Sequence, residues 1–329
     1  MTILVGIIQD RRADFTGAIA SYTDAIAIAE MTPDSELRLD VTYLLRGIVY
    51  VEIGMYDEAL GDFTQAINLN PDYAHAYNNR GNVHTELGQY EEALADLTKA
   101  SVIDPEFAVA YYNRGNIYLK LGQLELAQAN YIQAIKLDPS NVHAHNNLGI
   151  VYQMLGEYEQ ALEMLNQAIK LDKKRSSAYL NRGSVYESLG NDDKALVDYN
   201  KAIDLNPESA VAYYNRGNVY LKQIRLDEAL DDYTHAVTLN PEYSDAYNNR
   251  GAAYGLLGYL DLALVDYTQA INLNPSDAGQ YANRGGIYQD LGQDEAALAD
   301  YELYMLLSGN DDPAIQVRID QLKAKLGRQ

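Results

Sequence analysis

Cysteine and tryptophan are both missing from this 329-residue sequence. Without cysteine there are no disulfide staples and no thiol chemistry, although the compartment stays open. Basic residues are scarce: 25 Lys and Arg stand against 47 Asp and Glu, a formal net charge of −22. Binding to a phosphate backbone needs clustered Lys and Arg, so a nucleic-acid partner is excluded. An acidic chain repels its own copies and attracts basic partners. Long apolar runs are lacking too. The opening stretch Met1-Thr2-Ile3-Leu4-Val5-Gly6-Ile7-Ile8 has no basic flank and is too short for a signal peptide or a membrane span. A cytoplasmic protein with no membrane partner is therefore expected.

Residues suited to catalysis are equally sparse. Of the five histidines, His143 and His145 lie two apart and diverge on a helix, whereas a shared metal needs i, i+4 spacing. The Asp-Asp and Glu-Glu pairs are neighbours along helices, with no opposing pair for acid–base work. The glycines are assigned to packing, which leaves no loop to cradle phosphate. No catalytic residue, metal or cofactor is expected, and the chain is not read as an enzyme.

What the sequence has is a period. Gly47, Gly81, Gly115, Gly149, Gly183, Gly217, Gly251 and Gly285 follow one another every 34 residues. A fixed period of this length marks a stack of supersecondary units, each burying its apolar face only against its neighbours. Within each unit, counted from Asp40, Ala74 and so on, glycine holds position 8 and alanine position 20. Two stretches of helical periodicity are separated by a break such as Gly88-Gln89, and Asp104-Pro105 ends one unit and opens the next. Small residues at positions 8 and 20 let the two helices approach closely. Position 27 is Ala in seven units and Tyr304 in the last. Positions 4, 11 and 24 are mostly tyrosine, as in Tyr111, Tyr118 and Tyr131, and these rings account for 29 Tyr in a chain without Trp.

The pattern resembles the tetratricopeptide repeat family, carried in the sixth unit by Tyr213, Gly217, Tyr220, Ala229, Tyr233, Ala236 and Pro241. That resemblance implies an all-α fold, a right-handed superhelix or α-solenoid of antiparallel helix pairs of the bacterial type. It also implies that the first helix of each pair lines the concave side. Residues 40–311 are read as eight consecutive 34-residue repeats. Residues 1–39 are read as a partial N-terminal repeat with an insertion near Met31 to Leu37, in which Gly6, Phe15, Ala18, Tyr22 and Ala25 match positions 8, 17, 20, 24 and 27. Residues 312–329 are read as a C-terminal capping helix with Asp312 as N-cap, Pro313 in the first turn and an apolar stripe of Ile315, Ile319, Leu322 and Leu326.

In this family positions 2, 5, 6, 9, 12 and 13 face the groove. Position 6 is asparagine in seven successive repeats, Asn79, Asn113, Asn147, Asn181, Asn215, Asn249 and Asn283, with Leu45 before them. Asparagine offers two donors and an acceptor, so a regular row can bond successive peptide groups whatever the side chains. The row is similar to the asparagine ladder in the superhelix of O-linked N-acetylglucosamine transferase. Asn82, Asn116 and Asn218 at position 9, and Tyr112 and Tyr214 at position 5, complete the candidate peptide-binding set. Position 5 carries no lysine, so the clamp by which some family members hold an acidic chaperone tail is absent. Most of the acid lies on the second helices, as in Asp57-Glu58 and Asp227-Glu228, where it favours the helix N-terminus. The fourth repeat deviates, with His145, Leu148 and a basic turn Lys173-Lys174-Arg175 where six of the other repeats have proline.

The function expected from this is a non-catalytic protein–protein interaction scaffold, holding an extended, basic or neutral segment in the groove. The alternatives are a module that self-associates through its N-terminal half-repeat, and the targeting array of a larger enzyme. A last expectation is internal. Position 7 is Arg in seven repeats and position 23 is Asp in six of those, while in the fourth both change together, to Leu148 and Met164. Joint replacement by two apolar residues predicts a contacting Arg–Asp pair inside each repeat, Arg182–Asp198 for example.

Overall fold

The computed structural model describes residues 14–32, 38–309 and 312–328. These form eighteen helices and, among the described residues, no strand. The chain divides into two compact units, Met1–Leu171 and Asp172–Gln329. The first unit opens with the helix Phe15–Met31, followed by four helix pairs that begin with Leu39–Glu52 and Tyr56–Leu69 and end with Val142–Met154 and Tyr158–Leu171. The second unit holds four pairs, from Ser176–Ser188 and Asp192–Leu205 to Ala278–Asp290 and Asp294–Ser308, and closes with Pro313–Lys325. Each unit is an all-α repeat stack. Gly6, read as the position-8 glycine of the leading partial repeat, and most of the insertion near Met31 to Leu37 lie outside the described residues.

Local chemistry sets the ends of the helices. Second helices start with acids in their first turn, such as Asp57 and Glu58 or Asp294 and Glu295, where the macrodipole favours negative charge. The last ends at Gly309. Before the next repeat the others stop at Asn or Asp, whose side chain turns back to accept the backbone N–H two residues on, as Asp104 does from Glu106 at 3.0 Å and Asn240 from Glu242 at 3.1 Å. Proline occupies the residue between. In the turn after the fourth repeat Lys173 replaces proline, and Asp172 still accepts from Lys174 N–H at 2.9 Å. The basic turn therefore keeps the geometry of the others, and Asp172 faces Arg175 at 3.7 Å.

Two kinds of glycine share the repeat, and only one is a packing residue. At position 8 a Cβ would strike the position-24 side chain of the same repeat. It would lie 2.6 Å from the ring of Phe63 at Gly47, 2.8 Å from Tyr131 at Gly115 and 2.6 Å from Leu165 at Gly149. The opposing group is thus chiefly the large residue at position 24, with a position-20 atom, the Ala93 carbonyl oxygen, this close only at Gly81. At position 15, by contrast, Gly54, Gly88, Gly122, Gly156, Gly190, Gly258 and Gly292 have φ between 70° and 81°, and a Cβ there would touch nothing within 4 Å. Assigning every glycine to packing is therefore corrected: these seven provide the left-handed turn between the two helices. The alanines at position 20, and those at position 27 such as Ala134 and Ala236, are wholly buried beside the rings of Tyr131, Tyr199, Tyr233 and Tyr301.

Both stacks are closed by a helix that buries one stripe. Ala18, Tyr22 and Ala25 are buried in the leading helix, as the repeat register predicts. Ile319 and Leu322 are buried at the far end against Tyr301 and Met305, with Ile315 and Leu326 beside them. Asp312 accepts from Ala314 and Ile315 N–H at 3.0 and 3.2 Å. Cations off the stripe dock on the last repeat, Lys323 on Glu302 at 2.8 Å and Lys325 on Asp294 at 2.6 Å.

One turn breaks the glycine rule. Ile224 takes the left-handed conformation at φ 58° with its side chain 69 % exposed. A β-branched residue is strained there. Ile224→Gly should raise stability by about 1 kcal/mol, read as a higher denaturant midpoint with an unchanged slope. An unchanged or lower midpoint would show the strain to be absent.

Candidate functional site

The face formed by the first helices is set in place by its arginines. Each position-7 guanidinium grips the position-23 carboxylate of its own repeat through two parallel bonds. Arg46 reaches Asp62 at 2.8 and 2.8 Å, Arg182 reaches Asp198 at 2.7 and 2.7 Å, and Arg250 reaches Asp266 at 2.7 and 2.8 Å. Arg80–Asp96, Arg216–Asp232 and Arg284–Asp300 have the same fork, and Arg114 Nε donates to Asn130 at 2.6 Å. The aspartates are buried, with Asp198 side-chain exposure only 3 %. Bonding to the carboxylates raises the arginine pKa above its already high ordinary value. Burial pushes Asp232 up against the pull of Arg216. The guanidinium also lies 5.2–5.9 Å from the ring of the position-4 tyrosine, a cation–π contact.

The sequence reading missed a third partner. The remaining guanidinium nitrogen, Nη1, donates backward to position 25 of the preceding second helix. Arg46 donates to Thr23 at 2.9 Å, Arg80 to Thr64 at 3.1 Å, Arg114 to Thr98 at 3.2 Å and Arg284 to Thr268 at 3.2 Å. In the same way Arg216 bonds Asn200. One arginine thus ties two helices of its own repeat and one of the repeat before. The signal was present in the sequence. Where Leu148 and Met164 replace the pair, the preceding position 25 is Ile132, so all three polar groups are lost together. Leu148 is buried and Met164 packs in the same apolar cluster.

Above this tie lies the asparagine row. Asn79, Asn113, Asn147, Asn181, Asn215 and Asn249 are half-buried and Asn283 is exposed. Several are engaged with one another. Asn113 donates to Asn78 at 3.0 Å, Asn147 to Asn116 at 3.0 Å, Asn249 to Asn218 at 2.9 Å and Asn283 to Asn248 at 3.1 Å. In each case a position-6 amide reaches an asparagine at position 5 or 9 of the preceding repeat. Asn249 also meets Tyr214 Oη at 3.3 Å. The buried rings join in: Tyr131 donates to Asn116 at 2.7 Å and Tyr233 to Asn218 at 2.8 Å. Tyr112 and Tyr214 sit over those same rings, with centroids 6.0 and 6.1 Å away.

Two members of the row stand apart. Among the described residues Asn79 and Asn215 make no side-chain hydrogen bond. Before Asn79 the two possible acceptor positions hold Leu44 and Ile48, and before Asn215 position 5 holds Leu180. Asn79 and Asn82 line a hollow of about 290 Å³ on this face. Elsewhere, no group of three or more His, Asp or Glu among the described residues is arranged to hold a metal ion. No helix among them is long and apolar enough to cross a membrane.

Family models named TPR repeat and Tetratricopeptide repeat match this architecture in register. The first matches residues 47–88, 81–122, 115–156 and 186–223, the second 142–174, 210–243 and 244–277. The chain belongs to the tetratricopeptide repeat family, whose repeat is generally a non-catalytic scaffold for protein interactions. No curated protein matches it. Among solved structures, a tetratricopeptide repeat protein from Parabacteroides merdae ATCC 43184 is 23 % identical, with a TM-score of 0.58 over 77 % of this chain and 97 % of that one. A chain of the APC/C hetero-tetramer Cut9-Hcn1 is 16 % identical, with a TM-score of 0.60 over 98 % and 75 %. These two share the fold. YrrB, described as a TPR protein with an unusual peptide-binding site, is 29 % identical with a TM-score of 0.47 over 56 % and 95 %.

The three-way tie makes a sharp stability prediction. Asp232→Ala leaves Arg216 buried without its carboxylate and should cost about 3–5 kcal/mol. The triple variant Asn200→Ile, Arg216→Leu, Asp232→Met copies the fourth-repeat set and should cost less than about 1 kcal/mol, since an apolar set of similar volume replaces the charges. Denaturant unfolding compares them, and a triple variant as unstable as the single one would show that the groups are not coupled.

Proposed function

We propose that this protein is a non-catalytic scaffold that takes an extended segment of another protein along its first-helix groove. The observation that carries the reading is the row of position-6 asparagines. Its donors and acceptors recur once per repeat, on helices whose angle is held by the arginine tie. Adjacent packed helices lie about 8–10 Å apart, and an extended chain rises about 3.3 Å per residue. A peptide laid along the row within one unit would thus present a peptide group to each of its repeats about every third residue. Recognition of that kind reads the backbone and tolerates many side chains.

The row has bonding capacity left for such a ligand. Asn79 and Asn215 are uncommitted, and Asn113 uses one donor of its amide, on Asn78. The partner favoured by this reading is a neutral or basic protein segment, because the groove carries few charges and position 5 offers no lysine for an acidic tail. A partner recruited by the acidic second helices would bind differently. Its affinity would fall steeply with salt, whereas bonding in the groove should change little between low and high ionic strength.

The test is a selection of randomised twelve-residue peptides on the full chain, followed by titration of the winners. Asn79→Ala with Asn215→Ala should leave thermal stability unchanged and weaken selected peptides by about 0.5–1.5 kcal/mol per asparagine. Asn147→Ala with Asn249→Ala should lower both stability and affinity, because those side chains also link repeats. Failure to select any peptide, or selected peptides indifferent to all four asparagines, would refute a groove ligand. A steep salt dependence would move the site to the second helices.

A further inference from the structure

The hollow at the first two repeats is unlike the rest of the row. Its floor is apolar, made by Ile48, Val51, Phe63 and Val83. Phe63 stands at position 24, where most later repeats have a tyrosine whose hydroxyl enters the row: Tyr131 and Tyr233 meet asparagines, and Tyr199 Oη donates to Glu187 at 2.6 Å. With no hydroxyl there, and with Leu44 and Ile48 ahead of Asn79, no internal group fills this stretch of the groove. At its mouth stand Glu52 and Glu86, both at position 13 and both exposed. Neither forms a salt bridge among the described residues. The charge nearest in kind is Lys120 at position 13 of the next repeat, which is held mainly by Tyr90 and acts on Glu86 only through space. Position 13 changes character after these two repeats, to Lys120, Met154, Ser188, Lys222 and Leu256, and is acidic again only at Asp290 of the eighth repeat.

An apolar floor of about 290 Å³ under two unpaired carboxylates matches one kind of occupant. We infer that this hollow is a specificity subsite for a long basic side chain, lysine or arginine, of the bound segment. The alkyl stem lies against Phe63, Val51 and Val83, and the cation reaches Glu52 and Glu86 at the mouth, as amphipathic cationic side chains do at such boundaries. Asn79 and Asn82, free beside it, hold the peptide group that carries the side chain. A short or acidic side chain fits neither the floor nor the mouth. This assignment rests on the groove reading above and adds to it a fixed basic residue at one end of the segment.

The peptides selected on the full chain serve as probes, bound to the natural chain and to Glu52→Gln with Glu86→Gln. Both residues are exposed, so the variant keeps the fold. The expected result is a basic residue at one fixed position of the selected peptides and at least tenfold weaker binding to the variant. Replacing that residue by norleucine should cause a similar loss in the natural chain and none in the variant. Peptides with no fixed basic residue, or equal binding to both proteins, would overturn the subsite while leaving the groove standing. If no peptide is selected at all, the groove reading fails and the subsite with it. Spermine displacing the peptides at equal concentration would reassign the hollow to small amines.

Discussion

A half-buried guanidinium matched to a buried carboxylate is the constraint on which this repeat depends. Six arginines are forked onto buried carboxylates, and Arg46, Arg80, Arg216, Arg250 and Arg284 among them also bond backward to a hydroxyl or amide, so each of those five fixes three helices at once. Such a cluster is not a large source of stability by itself, because desolvation offsets most of the attraction. What it contributes is direction. A guanidinium fork accepts one orientation, and a charge left unmatched is expensive, so other packings of two short helices are disfavoured. The fourth repeat shows the same volume filled by Ile132, Leu148 and Met164. Apolar packing serves there too, within a stack whose other repeats already define the register.

The packing layer and the asparagine face are physically continuous. Glycine stands at position 8 because the large side chain at position 24 lies across it, 2.6–3.2 Å from where a Cβ would be. Having crossed the helix, the tyrosine ring delivers its hydroxyl among the asparagines, where Asn116 and Asn218 accept it. Burial raises the pKa of Tyr131 and Tyr233, which keeps those hydroxyls protonated as donors. A change from tyrosine to phenylalanine or leucine at position 24, as in Phe63, Leu97 and Leu165, therefore alters the groove without altering the fold.

The period, the helix pairs, the caps and the Arg–Asp fork were legible in the sequence because each leaves a mark that recurs or co-varies. The fork was legible above all through its failure, when Leu148 and Met164 replaced both partners together. The link to position 25 was equally marked by Ile132, but it crosses a repeat boundary and is invisible when each repeat is read alone. The same boundary hid the pairing of the asparagines. Whether Asn113 reaches Asn78 while Asn147 reaches Asn116 depends on which neighbour presents an oxygen, and seven identical letters do not show it. Two glycine populations were merged for a similar reason: the letter records the missing side chain, and only the backbone says whether space or φ required it. Ile224 makes the distinction plain, since a left-handed turn tolerates it at a cost, whereas a side chain at position 8 would collide with or press on the residue at position 24.

Cross-repeat bonding and the ligand bonding proposed above would draw on the same amides, and the row is uneven in how many of its amides are already engaged. An asparagine bonded to the preceding repeat, like Asn249 on Asn218, stiffens the stack and offers a ligand what remains. An asparagine preceded by leucine or isoleucine, like Asn79, does nothing for the stack and keeps its full capacity. The apolar residues that free such an asparagine also line the groove beside it, so uncommitted amides and apolar floor arise together. A uniform ladder would read only backbone. Interruptions such as Leu44 and Ile48 ahead of Asn79 would, on the proposed reading, turn one stretch of it into a place where a side chain is told apart, and they leave the Arg80–Asp96 fork beneath intact.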